Sequence, residues 1–224
     1  MEVLARIQAG GRAIECGLAV TKRERAVVQA QRFRVYQRHG YYRSGVRADR
    51  DDYDKNAVYF LATLPDAKLG ALLLGSARLI FGEPRAEFRF PAEKALELEL
   101  PPAVRDTAIT QRIEVSRVVT EAVQGIVIGG LLTPLGLIQA IGEYARPRGA
   151  RSGLAVIKQR LLRALQGAGV ALHEIQPASV IYPKDGPLSG YFYHSDPVVP
   201  VYWLTDEIGP SIERAIARYH EARE

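Results

Sequence analysis

The stretch Arg112-Ile113-Glu114-Val115-Ser116-Arg117-Val118-Val119-Thr120 constrains the fold of this chain more than any other. β-Branched residues at 113, 115, 118, 119 and 120 predict a strand, and a strand this apolar belongs in the middle of a sheet. Burying an unpaired carboxylate there costs several kcal/mol. Glu114 must therefore be ion-paired, solvated in a cleft or protonated. An ion pair between strands would need no function, whereas a cleft or a proton would mark a site. Glu114 and Arg117 are three residues apart and face opposite sides of a regular strand. For both to serve one site the strand must be bulged, and the bulge is expected at residues 115–116.

A chain of 224 residues that is 47% hydrophobic can bury the core of one large domain. Residues 13–224 are read as that domain, ending in a helix, and residues 1–12, which carry no strong period and end in Gly10-Gly11, as an N-terminal arm. No apolar run reaches the roughly 18 to 20 residues of a transmembrane helix. The N-terminus, Met1-Glu2-Val3-Leu4-Ala5-Arg6, lacks the basic and then apolar pattern of a secretory signal. A soluble, cytoplasmic protein is expected. The single cysteine, Cys16, forbids an intrachain disulfide, and four scattered histidines give no ligand spacing, so no metal is expected. The net charge of +5 is spread along the chain without a basic stripe interleaved with aromatics, which argues against nucleic acid.

Along the chain, residues 13–20 read as a first strand, followed by a capping box at Thr21-Lys22-Arg23-Glu24 and a helix to about Arg38. Val28, Arg32, Val35 and Tyr36 share one face of that helix, so Arg32 lies among apolar neighbours. Tyr41 and Tyr42 follow the helix, and an acidic loop runs from Asp49 to Asp54. Residues 56–62 and 69–81 form a hairpin whose second strand carries Arg78. A long excursion over 82–110, with a helical patch at 91–98, precedes the central strand; long excursions are usually functional. A glycine-punctuated connection leads to a helix capped by Thr133 with Pro134 at its first position. Strands at 152–157, 170–176 and 198–204 and helices at 158–166 and 206–221 complete the chain, with 178–182 either extending the 170–176 strand or turning. This order predicts an α/β (α+β) domain with a largely antiparallel sheet flanked by helices.

Four motifs in this order resemble the acyl-homoserine-lactone (autoinducer) synthase branch of the GNAT acyltransferases. Long-chain N-acyl amino acid synthases and exosortase-associated acyltransferases lie in the same branch. The motifs are Leu18-Ala19 with Arg32-Phe33-Arg34-Val35-Tyr36, Asp51-Asp52-Tyr53-Asp54 before the strand at 58–62, Ala77-Arg78-Leu79, and Glu114-Val115-Ser116-Arg117. The resemblance implies a GNAT-like sheet splayed at its two central strands, with a V-shaped gap between the Glu114 strand and the strand at 153–157. It makes Arg32, Asp51, Asp54, Arg78, Glu114 and Arg117 the charged cluster of the active cleft, and Tyr36, Tyr41, Tyr42, Val115, Ser116 and Val118 its substrate-facing neighbours. It implies an acyl thioester on a phosphopantetheine arm as donor, carried by acyl carrier protein or coenzyme A, with no tightly bound cofactor. Three departures favour a carrier-protein donor and a product other than a homoserine lactone. Tyr41 or Tyr42 stands where autoinducer synthases place tryptophan, Val118 stands where an aromatic usually follows the Ser-Arg pair, and the pyrophosphate loop at 124–130 is weak.

Amide formation from a thioester needs a neutral amine, a positioned carbonyl and a stabilised oxyanion. Glu114, its pKa raised by partial burial, is the expected general base. Backbone N–H groups at the splay are the expected oxyanion donors. The acyl tail is expected in an apolar tunnel beside the helix at 131–141 and the next strand. An acidic carrier protein is expected to dock on Arg146, Arg148, Arg151, Lys158 and Arg160. The expected activity is transfer of a medium or long acyl group to the amine of an amino acid. The alternatives are an acyl-homoserine-lactone synthase acting on S-adenosylmethionine in quorum sensing, and a non-catalytic acyl-binding or carrier-docking module.

Overall fold

The computed structural model describes residues 1–9, 11–66, 70–122 and 130–221. The expected turn at 65–68 lies outside the described residues at Ala67 and Lys68, as does the weak pyrophosphate loop except for Gly130. Val3, Ala5 and Ile7 recur at every second position, broken by the half-buried Leu4, and residues Glu2–Ala9 form a strand, β1, antiparallel to β2 (Arg12–Leu18). The stretch read as an arm is thus the edge of the sheet. The capping box forms at Thr21 and Glu24, and α1 runs over Lys22–Arg38. Next come β3 (Val58–Asp66) and β4 (Gly70–Phe81), then α2 (Pro91–Ala95), β5 (Leu96–Leu98) and α3 (Pro102–Arg105). The central strand is β6 (Arg112–Thr120), followed by α4 (Leu132–Ala145), β7 (Ser152–Lys158) and α5 (Gln159–Gly167). The chain closes with β8 (His173–Glu174), β9 (Ala178–Val180), α6 (Ser189–Phe192), β10 (Val198–Leu204) and α7 (Thr205–Glu221).

Among the described residues the main sheet has eight strands in the order β1-β2-β3-β4-β6-β7-β10-β8. Every neighbouring pair is antiparallel except β6 with β7. One face is covered by α4, α5 and α7, where Leu135, Leu137, Ile141, Leu162, Ile208 and Ile212 pack on Ile113, Val115 and Val201. Gly136 lets α4 press on the sheet, because a Cβ there would fall 2.6 Å from the Cys16 sulfur. The other face carries α1, the 49–55 loop and α2.

Three local expectations change. Leu131, not Thr133, is the N-cap of α4, and Thr133 is buried inside the helix. The strand expected at 170–176 shrinks to His173–Glu174, because Val170 and Leu172 instead join the core. The segment at 178–182 does not extend that strand: Ala178–Val180 pair with β5 as a separate two-stranded sheet.

The strand bulge is present but two residues beyond its expected place. Ser116 pairs with Arg78 and Val119 with Ser76, so Arg117 and Val118 together oppose Ala77. Arg117 adopts a positive φ of 54°, the left-handed conformation that bulges use. The extra residue inverts the alternation: Arg117 turns to the same face as Glu114, while Val118 packs into the main core.

Candidate active site

The parallel ladder between β6 and β7 runs from Arg112 opposite Ser152 to Glu114 opposite Leu154 and stops there, although both strands continue. Beyond Glu114 the facing strand edges diverge and enclose a gap of about 210 Å³ lined by Val115, Ser116, Arg117, Val156, Ile157 and Lys158. Three spaces meet at this splay. On the α4 face lies a narrow, almost wholly apolar pocket of about 60 Å³ that reaches Val115, Val118, Ile138, Ile141, Gly142 and Trp203. On the α1 face lies a cavity of about 280 Å³ bordered by Asp51, Arg78, Glu114, Ser116 and Arg117 and walled by Tyr36, Tyr42, Tyr53, Tyr182 and Tyr191.

Glu114 is only 2% exposed and makes no ion pair among the described residues. Its Oε2 accepts the Ala92 N–H at 2.8 Å, from the first turn of α2. Burial pushes its pKa up to about 8, outweighing the Ala92 hydrogen bond and the charges of Arg78 and Arg117. At neutral pH the carboxyl is therefore mostly protonated, which satisfies the requirement that a buried carboxylate be neutral or paired.

The ion pairs lie beside Glu114 rather than on it. Arg78 bonds Asp51 at 2.6 Å, Asp54 at 2.8 Å and the Ser116 hydroxyl at 3.0 Å. Arg32 bonds Asp49 at 2.7 Å and Asp54 at 3.4 Å, and Arg117 reaches Asp49 at 3.3 Å and Asp51 at 3.4 Å. Three arginines and three aspartates thus neutralise one another in a buried lattice. Asp54 is held down to about 2: burial opposes ionisation, but Arg32 and Arg78 prevail. Arg78, Asp51 and Arg117 border the cavity, whereas Arg32 and Asp54 stand behind them. Asp49, which joins Arg32 to Arg117, escaped the sequence reading. The fold brings it in from an irregular loop, and the only available signal was its place two residues before Asp51.

The aromatic residues close the site. Tyr36 stacks on Tyr191 with centroids 5.7 Å apart and meets Tyr41 and Tyr42 at 5.3 and 5.7 Å; the Arg117 guanidinium lies 5.6 Å from the Tyr36 ring. The segment 182–196, which no sequence motif singled out, lies across the cleft. Tyr191 N–H donates to the Tyr41 carbonyl, and its hydroxyl donates to the Val156 carbonyl at 2.8 Å, on the β7 edge of the gap.

The expected carrier-docking residues do not form one patch. Arg151 precedes β7 and Lys158 ends it, about 23 Å apart at 3.3 Å per residue. Arg146 pairs with Glu143, and Arg148 lies over the Tyr144 ring, both at the far end of β7 from the gap. Lys158 is buried and spends its ammonium on the Tyr191 and Asp196 carbonyls; burial lowers its pKa to about 8. Of the five, Arg160 alone is exposed at the open end of the gap.

No protein-family model matches the chain, and no curated protein matches it in sequence. Solved structures do share its fold. TofI, solved in a ternary complex with an inhibitor and MTA, is 21% identical, aligns over 90% of this chain and 97% of its own, and has a TM-score of 0.57. The AHL synthase LasI is 11% identical over 92% of this chain and 95% of its own, with a TM-score of 0.59. FeeM, an N-acyl amino acid synthase from uncultured soil microbes, is 13% identical over 89% and 95%, with a TM-score of 0.55. The fold is the GNAT-like one expected from the motifs, and these structures fall in the branch that the motifs resemble.

Proposed function

We propose that this chain is an N-acyltransferase that moves a medium or long acyl group from a phosphopantetheine thioester, borne by an acyl carrier protein, to the amine of an amino acid. The observation that carries this reading is the end of the β6–β7 ladder at Glu114, where an apolar pocket and a polar cavity meet across one gap. A thioester carbonyl in the gap can extend its tail into the pocket on the α4 face while an amine approaches from the cavity on the α1 face. The nitrogen attacks the carbonyl carbon and passes a proton to Glu114 in its ionised form. Strand-edge N–H groups stabilise the tetrahedral oxyanion, a contribution of roughly 3 to 4 kcal/mol for one positioned donor. Collapse forms the amide and expels the thiolate, which takes up the proton. The arginine–aspartate lattice acts on this chemistry by holding β6, the 49–55 loop and α1 in register.

An acyl-homoserine-lactone synthase is the second reading, favoured by the equal likeness to TofI and LasI. Mass spectrometry of lipid extracts from expressing cells separates the two. The proposal expects acyl amino acids, and acyl lactones in their place would sink it.

Two further outcomes follow. With Glu114 near 8 and the ammonium of a free amino acid titrating above it, because the neighbouring carboxylate favours the charged form, both groups must lose a proton before attack. Log kcat/KM should therefore rise with a slope approaching two below about pH 7 and level off only above the pKa of the amine; a slope of one would leave only the amine titrating. Gly142 lines the apolar pocket, and a Cβ added there meets nothing within 4 Å. Gly142→Leu should therefore fold and move the preferred donor to a chain several carbons shorter, read from competition between acyl thioesters.

A further inference from the structure

The cavity on the α1 face holds an uneven set of charges. Its acidic groups are satisfied: Asp49 and Asp51 by arginines, and the mostly protonated Glu114 by the Ala92 N–H. Arg78 and Arg117 are likewise committed to aspartates. Two cations on the same wall, Arg50 and Lys94, make no ion pair among the described residues. Lys94 is the one tied to the chemistry. It lies on α2 two residues after Ala92, whose N–H holds Glu114, and its ammonium sits 4.9 Å from the centre of the Tyr53 ring. Lys94 and Tyr53 also line a second, outer cavity of about 470 Å³, so this pair forms the wall between the site and an open polar basin. A ligand passing from the basin, which Asp52 and Glu83 also line, toward Glu114 moves past an ammonium whose partner is the neutral Tyr53 side chain.

We infer that Lys94 receives the carboxylate of the acceptor and that the acceptor is an amino acid with its carboxylate free. The inference rests on the N-acyltransferase reading and narrows its substrate. An anionic group meets the surplus positive charge, whereas a carboxamide or a decarboxylated amine offers it no counter-charge. The amine of an α-amino acid bound at Lys94 is directed inward, toward Glu114 and the gap.

The test uses the full chain with decanoyl-pantetheine as donor. The acceptors are the twenty standard amino acids, their carboxamides, their decarboxylated amines and S-adenosylmethionine. A charge-assisted hydrogen bond of ordinary strength predicts that Lys94→Gln lowers kcat/KM for the acids by roughly tenfold to a hundredfold, carried by KM. The same change should leave the carboxamides and amines within about twofold, and Lys94→Arg should restore the preference for acids. Lys94 is exposed, so these variants keep the buried lattice intact. Equal losses on acids and amides, or a loss of discrimination in Arg50→Gln in place of Lys94→Gln, would overturn the assignment of Lys94 while leaving the acyltransferase reading standing. Acylation of no amine at all would overturn both.

Discussion

Glu114→Gln is expected to lower kcat by about 10²- to 10⁴-fold, the usual contribution of a positioned general base, while making the protein more resistant to heat. The two effects share one origin. The folded-state pKa of Glu114 is raised to about 8 by burial, against about 4.3 in an unfolded chain. Between these values the unfolded chain releases a proton that the folded chain keeps. The contribution of Glu114 to stability is therefore fully present below about pH 4.3 and is lost as pH rises through about 8. Glutamine cannot ionise, and its carbonyl can still accept the Ala92 N–H. The variant should thus unfold at a higher temperature than the wild type at pH 8, with a margin that shrinks toward pH 4. Calorimetry at the two pH values, beside steady-state rates, checks both halves. A variant with wild-type turnover would remove Glu114 from the chemistry.

Asp49→Ala is expected to be the most destabilising single change in the site. The carboxylate is 2% exposed and holds Arg32 at 2.7 Å and Arg117 at 3.3 Å. Its removal leaves two covered guanidinium groups with less than their balancing charge, a loss of about 3 to 5 kcal/mol. For a chain of this size that corresponds to a fall in Tm of roughly 6 to 20 °C. Asp52→Ala is the matched comparison. Asp52 is 96% exposed and paired only with Lys55 at 3.5 Å, and a surface pair of this kind contributes about 0 to 1 kcal/mol. Thermal denaturation followed by circular dichroism should separate the two variants widely. Similar melting temperatures would mean that the lattice is as dispensable as a surface pair.

These expectations also show which parts of the molecule were legible in the sequence. The capping box at Thr21 and the apolar run of β6 are encoded over a few neighbouring residues, and both formed where expected. That Glu114 and Arg117 serve one face required a bulge, which follows from counting residues, but its position depends on the register with Arg78 and Ser76 across the strand pair. Sequence supplies no partner for a register. The N-terminal strand was hidden by its irregular pattern: Val3, Ala5 and Ile7 alternate, but Leu4 interrupts the pattern and Gly10-Gly11 reads as its end. Asp49, Lys94 and Tyr191 were missed for a common reason, as each lies in a loop or a short helix whose path is set by what it packs on. The docking cluster failed in the opposite sense. Basic residues crowded along the chain at 146–160 are separated in space, because a strand carries its two ends apart.

The central claim is that the gap beyond Glu114 joins an acyl thioester to an amino-acid amine. It is tested most directly by incubating the purified chain with decanoyl-carrier protein and a mixture of amino acids and following the products by mass spectrometry. The structure-based reading predicts decanoyl amides accumulating in step with free carrier thiol, strongly suppressed in Glu114→Gln. Loss of the thioester with free decanoate as its only product, or decanoyl amides formed as fast by Glu114→Gln as by the wild type, would contradict it.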